Sequence, residues 1–168
     1  MKRYLIIIAG LILTVNLYGQ SECGVSNLSQ PDKILLGKFW IKFKNAVNAS
    51  DKLELSTLVN FPFNCDHCII DSLSHACQAS IRVTKKQFDS NQYKIFFKKQ
   101  LIEVVNRYQL PKDIFILTSN YNTYKKRCRY SFSYIAVKET KQYPGRQEWI
   151  DVEKINGQFK VVSSWTLP

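Results

Sequence analysis

The chain predicts an α+β domain in which N-terminal helices pack on a curved antiparallel β-sheet, and three observations lead there. Apolar residues recur at helical spacing through the first half, as in Phe39, Phe43, Ala46 and Val47, which gives one buried stripe per helix. After Pro111 the period changes from 3.6 to 2, the alternation of a strand with one buried face. Asn156-Gly157 then divides two aromatic and β-branched runs. Both residues tolerate positive φ, so the pair fits a two-residue hairpin turn. Helices first and a meander of strands afterwards define the class.

In order, Lys2 and Arg3 precede the apolar run Leu5 to Leu13, with small or polar residues around Gly19, Gln20 and Ser21. This reads as a secretory leader spanning 1–19, whose apolar run is too short to cross a membrane as a helix. Glu22 stands before Cys23 where an acylated cysteine needs a small residue, which argues against a lipoprotein. Residues 20–30 are a polar, irregular lead-in, and 31–168 form one α+β domain with a Cys-rich connection at 64–78. Pro31 suits a first helical turn. Asp51 with Glu54 forms a capping-box pattern for a second helix whose buried side takes Leu53, Leu55, Leu58 and Val59, and Pro62 ends it. Ala79 to Val83 reads as a strand. Thr84 with Gln87 opens a long third helix with a core face at Phe97, Leu101, Val104, Val105 and Tyr108. Strands are expected at Ile114 to Ser119, Arg129 to Lys138, Arg146 to Ile155 and Gln158 to Leu167.

This order of elements, carried by FWIKFKNAV, NASDKLELSTLVNFPF, VTKKQFDSNQY and the final EWIDVEKINGQFKVVSSW, resembles the nuclear transport factor two-like, cystatin-like α+β superfamily. More narrowly it is similar to exported bacterial proteins of that type without an assigned activity. The resemblance implies a cone in which the concave sheet and the helices enclose a pocket, used by some members for isomerase or dehydratase chemistry and by others only for binding. The Cys-rich connection departs from that pattern.

The 24 basic and 13 acidic residues leave a formal charge of +11, or +9 once Lys2 and Arg3 leave with the leader. Such a balance favours acidic protein or envelope partners. No nucleic-acid partner is expected of an exported chain, nor any integral membrane segment after cleavage. No cofactor is expected.

Cys65, Cys68, His75 and Cys77 have the residue types and spacing of a zinc site. Disulfides are the default for the same cysteines outside the cytosol. A redox pair, with His67 inside CDHC, is the third reading. The pairings expected are Cys68 with Cys77, closing a local loop, and Cys23 with Cys128, tying the lead-in to the sheet. Tyr130, Phe132 and Tyr134 share one strand face, as do Phe159, Val161, Ser163 and Trp165. They line either a small hydrophobic pocket or a plain core. Asp151 and Glu153 accompany Trp149 and read as solvated surface, with Glu148 and Lys154 beside them.

Three functions compete: an exported, non-catalytic binding domain for a small hydrophobic ligand, a small isomerase, dehydratase or hydrolase using a pocket carboxylate with Tyr130 or Tyr134, and an interaction module built on the Cys65–Cys77 segment. Self-association as a homodimer would bury a sheet face that helices leave open.

Overall fold

A computed structural model of the chain describes residues 23–68, 81–122 and 127–167. The expected leader, His75 and Cys77 lie outside the described residues. Ser29 caps α1 (Gln30–Asn48), its hydroxyl accepting from the Asp32 amide at 3.3 Å, and Pro31 sits in the first turn. Asp51 caps α2 (Lys52–Leu58) through the Glu54 amide at 3.0 Å. The chain passes without a loop into β1 (Val59–Cys65). After β2 (Ile81–Val83), the Thr84–Gln87 capping box starts α3 (Lys85–Ser90). A 3-10 segment (Gln92–Phe97), α4 (Lys99–Arg107) and the short α5 (Pro111–Ile114) lead to β3 (Leu117–Asn122), β4 (Arg127–Val137), β5 (Arg146–Ile155) and β6 (Gln158–Leu167). Among the described residues, no helix is long and apolar enough to cross a membrane.

The fold is α+β, with helices against one face of a sheet whose six strands among the described residues run in the order β2-β1-β6-β5-β4-β3. The sheet is mixed rather than wholly antiparallel, because β1 lies parallel to β6. The meander β3 to β6 leaves one edge of β6 unpaired, and β1, arriving from α2, takes it. Pro62 therefore sits within a strand and does not end a helix. It follows a cis peptide from Phe61 and falls in an irregular stretch of the β1–β6 register, where a missing N–H costs little. The β5–β6 turn has Asn156 at φ 47° and Gly157 at φ 78°, as the dipeptide requires.

Three further expectations are corrected. The long third helix is broken at Asn91 and again at Lys98, whose φ of −69° and ψ of 136° are extended. Leu53 is 74 % exposed, since α2 turns only Leu55 and Leu58 inward. Along β6, the register places Ser163 opposite Asp151 but Val161 opposite Val152, so Val162 is an extra, bulged residue. A one-residue bulge exchanges the faces of everything beyond it. Phe159 and Val161 face the helices, while Ser163 and Trp165 face the other way.

The core lies between α1 and the sheet. Trp40 has no exposure and meets Phe43, Phe115 and Phe132 with ring centroids 5.8 to 6.1 Å apart. Its indole N–H donates to the Tyr108 carbonyl at 3.3 Å. Tyr130, Phe132, Tyr134, Phe159 and Val161 are all buried in this same layer.

Two disulfides are present among the described residues. Cys23–Cys128 spans 105 residues and pins the lead-in to β4. Cys68 bonds Cys65, not Cys77, because at the end of β1 their Cα atoms lie 5.5 Å apart, within bridging range. Loop closure makes the two bridges unequal. Replacing Cys23 and Cys128 by alanine should cost about 4–5 kcal/mol, and replacing Cys65 and Cys68 about 2 kcal/mol. Urea unfolding of the two variants measures the difference, and equal losses would contradict the ordering.

Candidate functional site

The unusual chemistry of this protein gathers around Glu148. On β5, residues 148, 150 and 152 point to one face, so Glu148 shares the helix-covered side with Ile150 and Val152 and has no exposed surface. A carboxylate in that position must be paired. The Lys98 ammonium donates to both oxygens, at 2.6 and 2.7 Å. The Tyr134 hydroxyl, opposite on β4, donates to Oε2 in a short hydrogen bond. The Arg146 guanidinium is 3.3 Å from Oε1, and His67 Nε2 is 3.7 Å from Oε2.

His67 is held in turn. Its Nδ1 lies 2.9 Å from Asp66 Oδ1, and Asp66 Oδ2 accepts from the Thr166 amide at 2.8 Å and its hydroxyl at 3.2 Å. The Cys65–Cys68 bridge closes the tight loop that carries both residues. The CDHC stretch thus serves here as a clasp that brings an acid and an imidazole to the edge of the Glu148 cluster.

The electrostatics decide what the cluster can do. Burial alone would raise the Glu148 carboxyl. The hydrogen bonds from Lys98 and Tyr134 and the charges of His67 and Lys98 outweigh it and hold Glu148 below its ordinary value. Burial, the bond to Glu148 and that carboxylate's charge push the Tyr134 phenol far above its ordinary value, with Arg146 opposing. Tyr130 is pushed up to about 12 by burial and by the charge of Asp32. The pair is therefore an ionised carboxylate and a neutral phenol. A general base works best with a pKa near the working pH and within reach of substrate, and Glu148 meets neither condition.

A second carboxylate pair lies on the opposite sheet face. Asp151 is 1 % exposed and accepts from Ser131 and Ser163 at 2.6 Å each, from the Trp165 indole at 3.0 Å and from Arg129 at 3.3 Å. Arg129 also binds Glu153 through Nε and Nη2, at 2.8 and 2.7 Å. The expectation that Asp151, Glu153 and Glu148 are solvated is corrected: all three are buried and paired. Asp151 is also separated from Tyr130 and Tyr134 by the sheet itself, so these groups do not converge. Trp165, expected beside Phe159 and Val161, instead stacks on Trp149 with centroids 5.0 Å apart.

The zinc reading loses two of its four ligands, because Cys65 and Cys68 are joined to each other. Among the described residues, no group of three or more His, Cys, Asp or Glu side chains could hold a metal ion.

Space for a ligand occurs elsewhere. A cavity of about 460 Å³ opens between α1, α2 and the β5–β6 hairpin, with Leu35, Phe39, Leu58 and Phe159 as its floor and Lys42, Glu54, Thr57, Gln158 and Lys160 at its rim. It shares no residue with the Glu148 cluster. Lys42 pairs with Glu54 at 3.5 Å, and Lys160 donates to the Thr57 carbonyl.

Sequence reasoning missed Glu148, although the alternation Glu148, Ile150, Val152 was there to be read: a carboxylate in register with two core residues is a buried one. Lys98 could not have been matched to it, because the break that frees its side chain is tertiary.

No protein-family model matches the chain, and no curated protein matches it. Among solved structures it is similar to a ketosteroid isomerase-like protein from Erwinia carotovora atroseptica, at 10 % identity and TM-score 0.39, covering 82 % of this chain and 96 % of that one. It is also similar to a nuclear transport factor two-like protein of unknown function from Shewanella oneidensis, at 13 % identity and TM-score 0.38, covering 82 % and 98 %.

Because the folded Glu148 value is lowered, its contribution to stability is complete above the ordinary carboxyl range, near pH 4.3, and is lost as the pH falls through the lowered value. Glu148→Gln should cost about 3 kcal/mol at neutral pH and flatten the acid limb of the stability profile. Chemical denaturation across pH measures both, and an unchanged acid limb would contradict the assignment.

Proposed function

We propose that the chain is an exported, non-catalytic binding domain whose ligand is a small hydrophobic molecule with an acidic end, taken in the groove between α1, α2 and the β5–β6 hairpin. The observation that carries this reading is the groove's composition. Its volume of about 460 Å³ suits a small organic ligand. Its floor is apolar, and two of its three charged rim residues are lysines. An acyl or aromatic body would displace water from Phe39, Leu58 and Phe159, and an acidic group would meet Lys42 or Lys160.

Export is supported by the leader pattern and by the two disulfides, which persist in oxidising compartments. The enzyme reading has one point in its favour, the meeting of Tyr134 with a carboxylate. That carboxylate is closed to solvent, and its oxygens are taken by Lys98, Tyr134 and Arg146. Such a cluster orders structure rather than moves protons.

The anionic aromatic dye anilinonaphthalene sulfonate probes the groove directly. Leu35 is the half-buried member of the floor, so Leu35→Trp fills the space from a position that tolerates a larger ring. Dye affinity should fall about tenfold or more while the thermal midpoint stays within a few degrees. Unchanged dye binding in a folded Leu35→Trp variant would contradict the proposal.

A further inference from the structure

The solvent side of α1 carries a feature that neither the core nor the groove uses. At about 100° per residue, Leu36, Phe39, Trp40, Phe43 and Val47 point into the core. Ile34 and Ile41, two turns apart, lie opposite them and are 51 % and 59 % exposed. Gly37 lies between them along the helix, and a Cβ added to it would meet nothing within 4 Å among the described residues. Alanine would be the more stable residue there, and no described residue excludes it. The two isoleucines therefore stand proud of a low point in the helix surface.

Lysines flank this ridge on both sides. Lys38 and Lys42 follow one flank, Lys33 and Lys44 the other. Lys33 and Lys38 are exposed, Lys42 pairs with Glu54, and Lys44 donates to Gln109 at 3.2 Å. The one acidic residue of α1, Asp32, is already bound by Lys154 at 2.6 Å. The Lys33 flank continues into an apolar cavity of about 370 Å³ lined by Val25, Leu36, Leu110 and Pro111, with Lys112 at its margin.

The shape and charge select the occupant. A second copy of the chain, related by a two-fold axis, would set lysine against lysine. A rigid partner would need a groove cut to two isolated isoleucines. A fluid surface needs none: apolar side chains sink between headgroups while lysines extend along the interface to the phosphates. We infer that the outer face of α1 docks the protein on anionic bilayers, with Ile34 and Ile41 entering the headgroup layer and Lys33 and Lys38 meeting lipid phosphates. This docking does not depend on the groove's binding a ligand.

Sedimentation of the leader-free chain with phosphatidylcholine vesicles, with and without phosphatidylglycerol, tests the inference. Binding should require phosphatidylglycerol and weaken at high salt. The double variant Ile34→Asp/Ile41→Asp and the charge reversal Lys33→Glu/Lys38→Glu should each lower vesicle affinity at least tenfold. These positions are exposed, so both variants should keep wild-type dye binding in the groove and a wild-type thermal midpoint. Absence of vesicle binding, binding indifferent to phosphatidylglycerol, or binding untouched by either variant would overturn it. A chain that ignores vesicles yet is retained by a soluble polyanion such as heparin would overturn it in favour of a soluble acidic partner.

Discussion

A carboxylate with no access to water has to find its hydrogen-bond donors and countercharges inside the fold, and Glu148 draws them from segments far apart in sequence. Lys98 comes from the junction of the 3-10 segment and α4, Tyr134 from β4, Arg146 from the start of β5, and His67 from the loop after β1. Removing any one leaves charge or polarity uncompensated in the interior. The extended backbone at Lys98 lies at the break between the 3-10 segment and α4, where its ammonium meets both Glu148 oxygens. The Cys65–Cys68 bridge belongs to the same constraint, because the loop it closes carries Asp66 and His67 to Thr166 and Glu148.

Local signals translated well into local structure. The Asp51 and Thr84 caps form as their spacing requires, the Asn156-Gly157 hairpin takes positive φ at both residues, and β5 and β6 begin and end where alternation places them. What alternation could not reveal is a bulge. Val162 is an ordinary strand residue to any periodic reading, yet it turns Trp165 away from Phe159 and Val161. The parallel pairing of β1 with β6 is likewise a property of which edge is free. Proline in a strand is unusual enough that Pro62 read as a stop. The candidate site is less legible than the fold: Tyr134 stands out on its strand face, but Glu148 sits among charged neighbours that read as surface, and no local pattern marks Lys98 as its partner.

The two sheet faces solve the same problem of buried acidity differently. On the helix side one glutamate collects cations and a phenol. On the other, Asp151 and Glu153 share Arg129, with serine hydroxyls and the Trp165 indole completing Asp151. Both carboxylates are paired, while His67 Nε2 and Arg146 Nε beside Glu148 are buried without a hydrogen-bond partner among the described residues. The recognition surfaces proposed above both lie on α1: an apolar-floored groove on one flank and a lysine-flanked isoleucine ridge facing outward. Neither the ligand binding nor the lipid docking proposed above calls for a catalytic group.

The claim on which this account rests is that Glu148 is a locked structural anion. Carbon-13 NMR of its side-chain carboxyl, assigned by comparison with Glu148→Gln and followed through an acid titration, tests it most directly. The account predicts a titration below the ordinary glutamate value that coincides with loss of the folded signals. A carboxyl that titrates above that value, near neutrality and with the fold intact, would be a poised base and would contradict it.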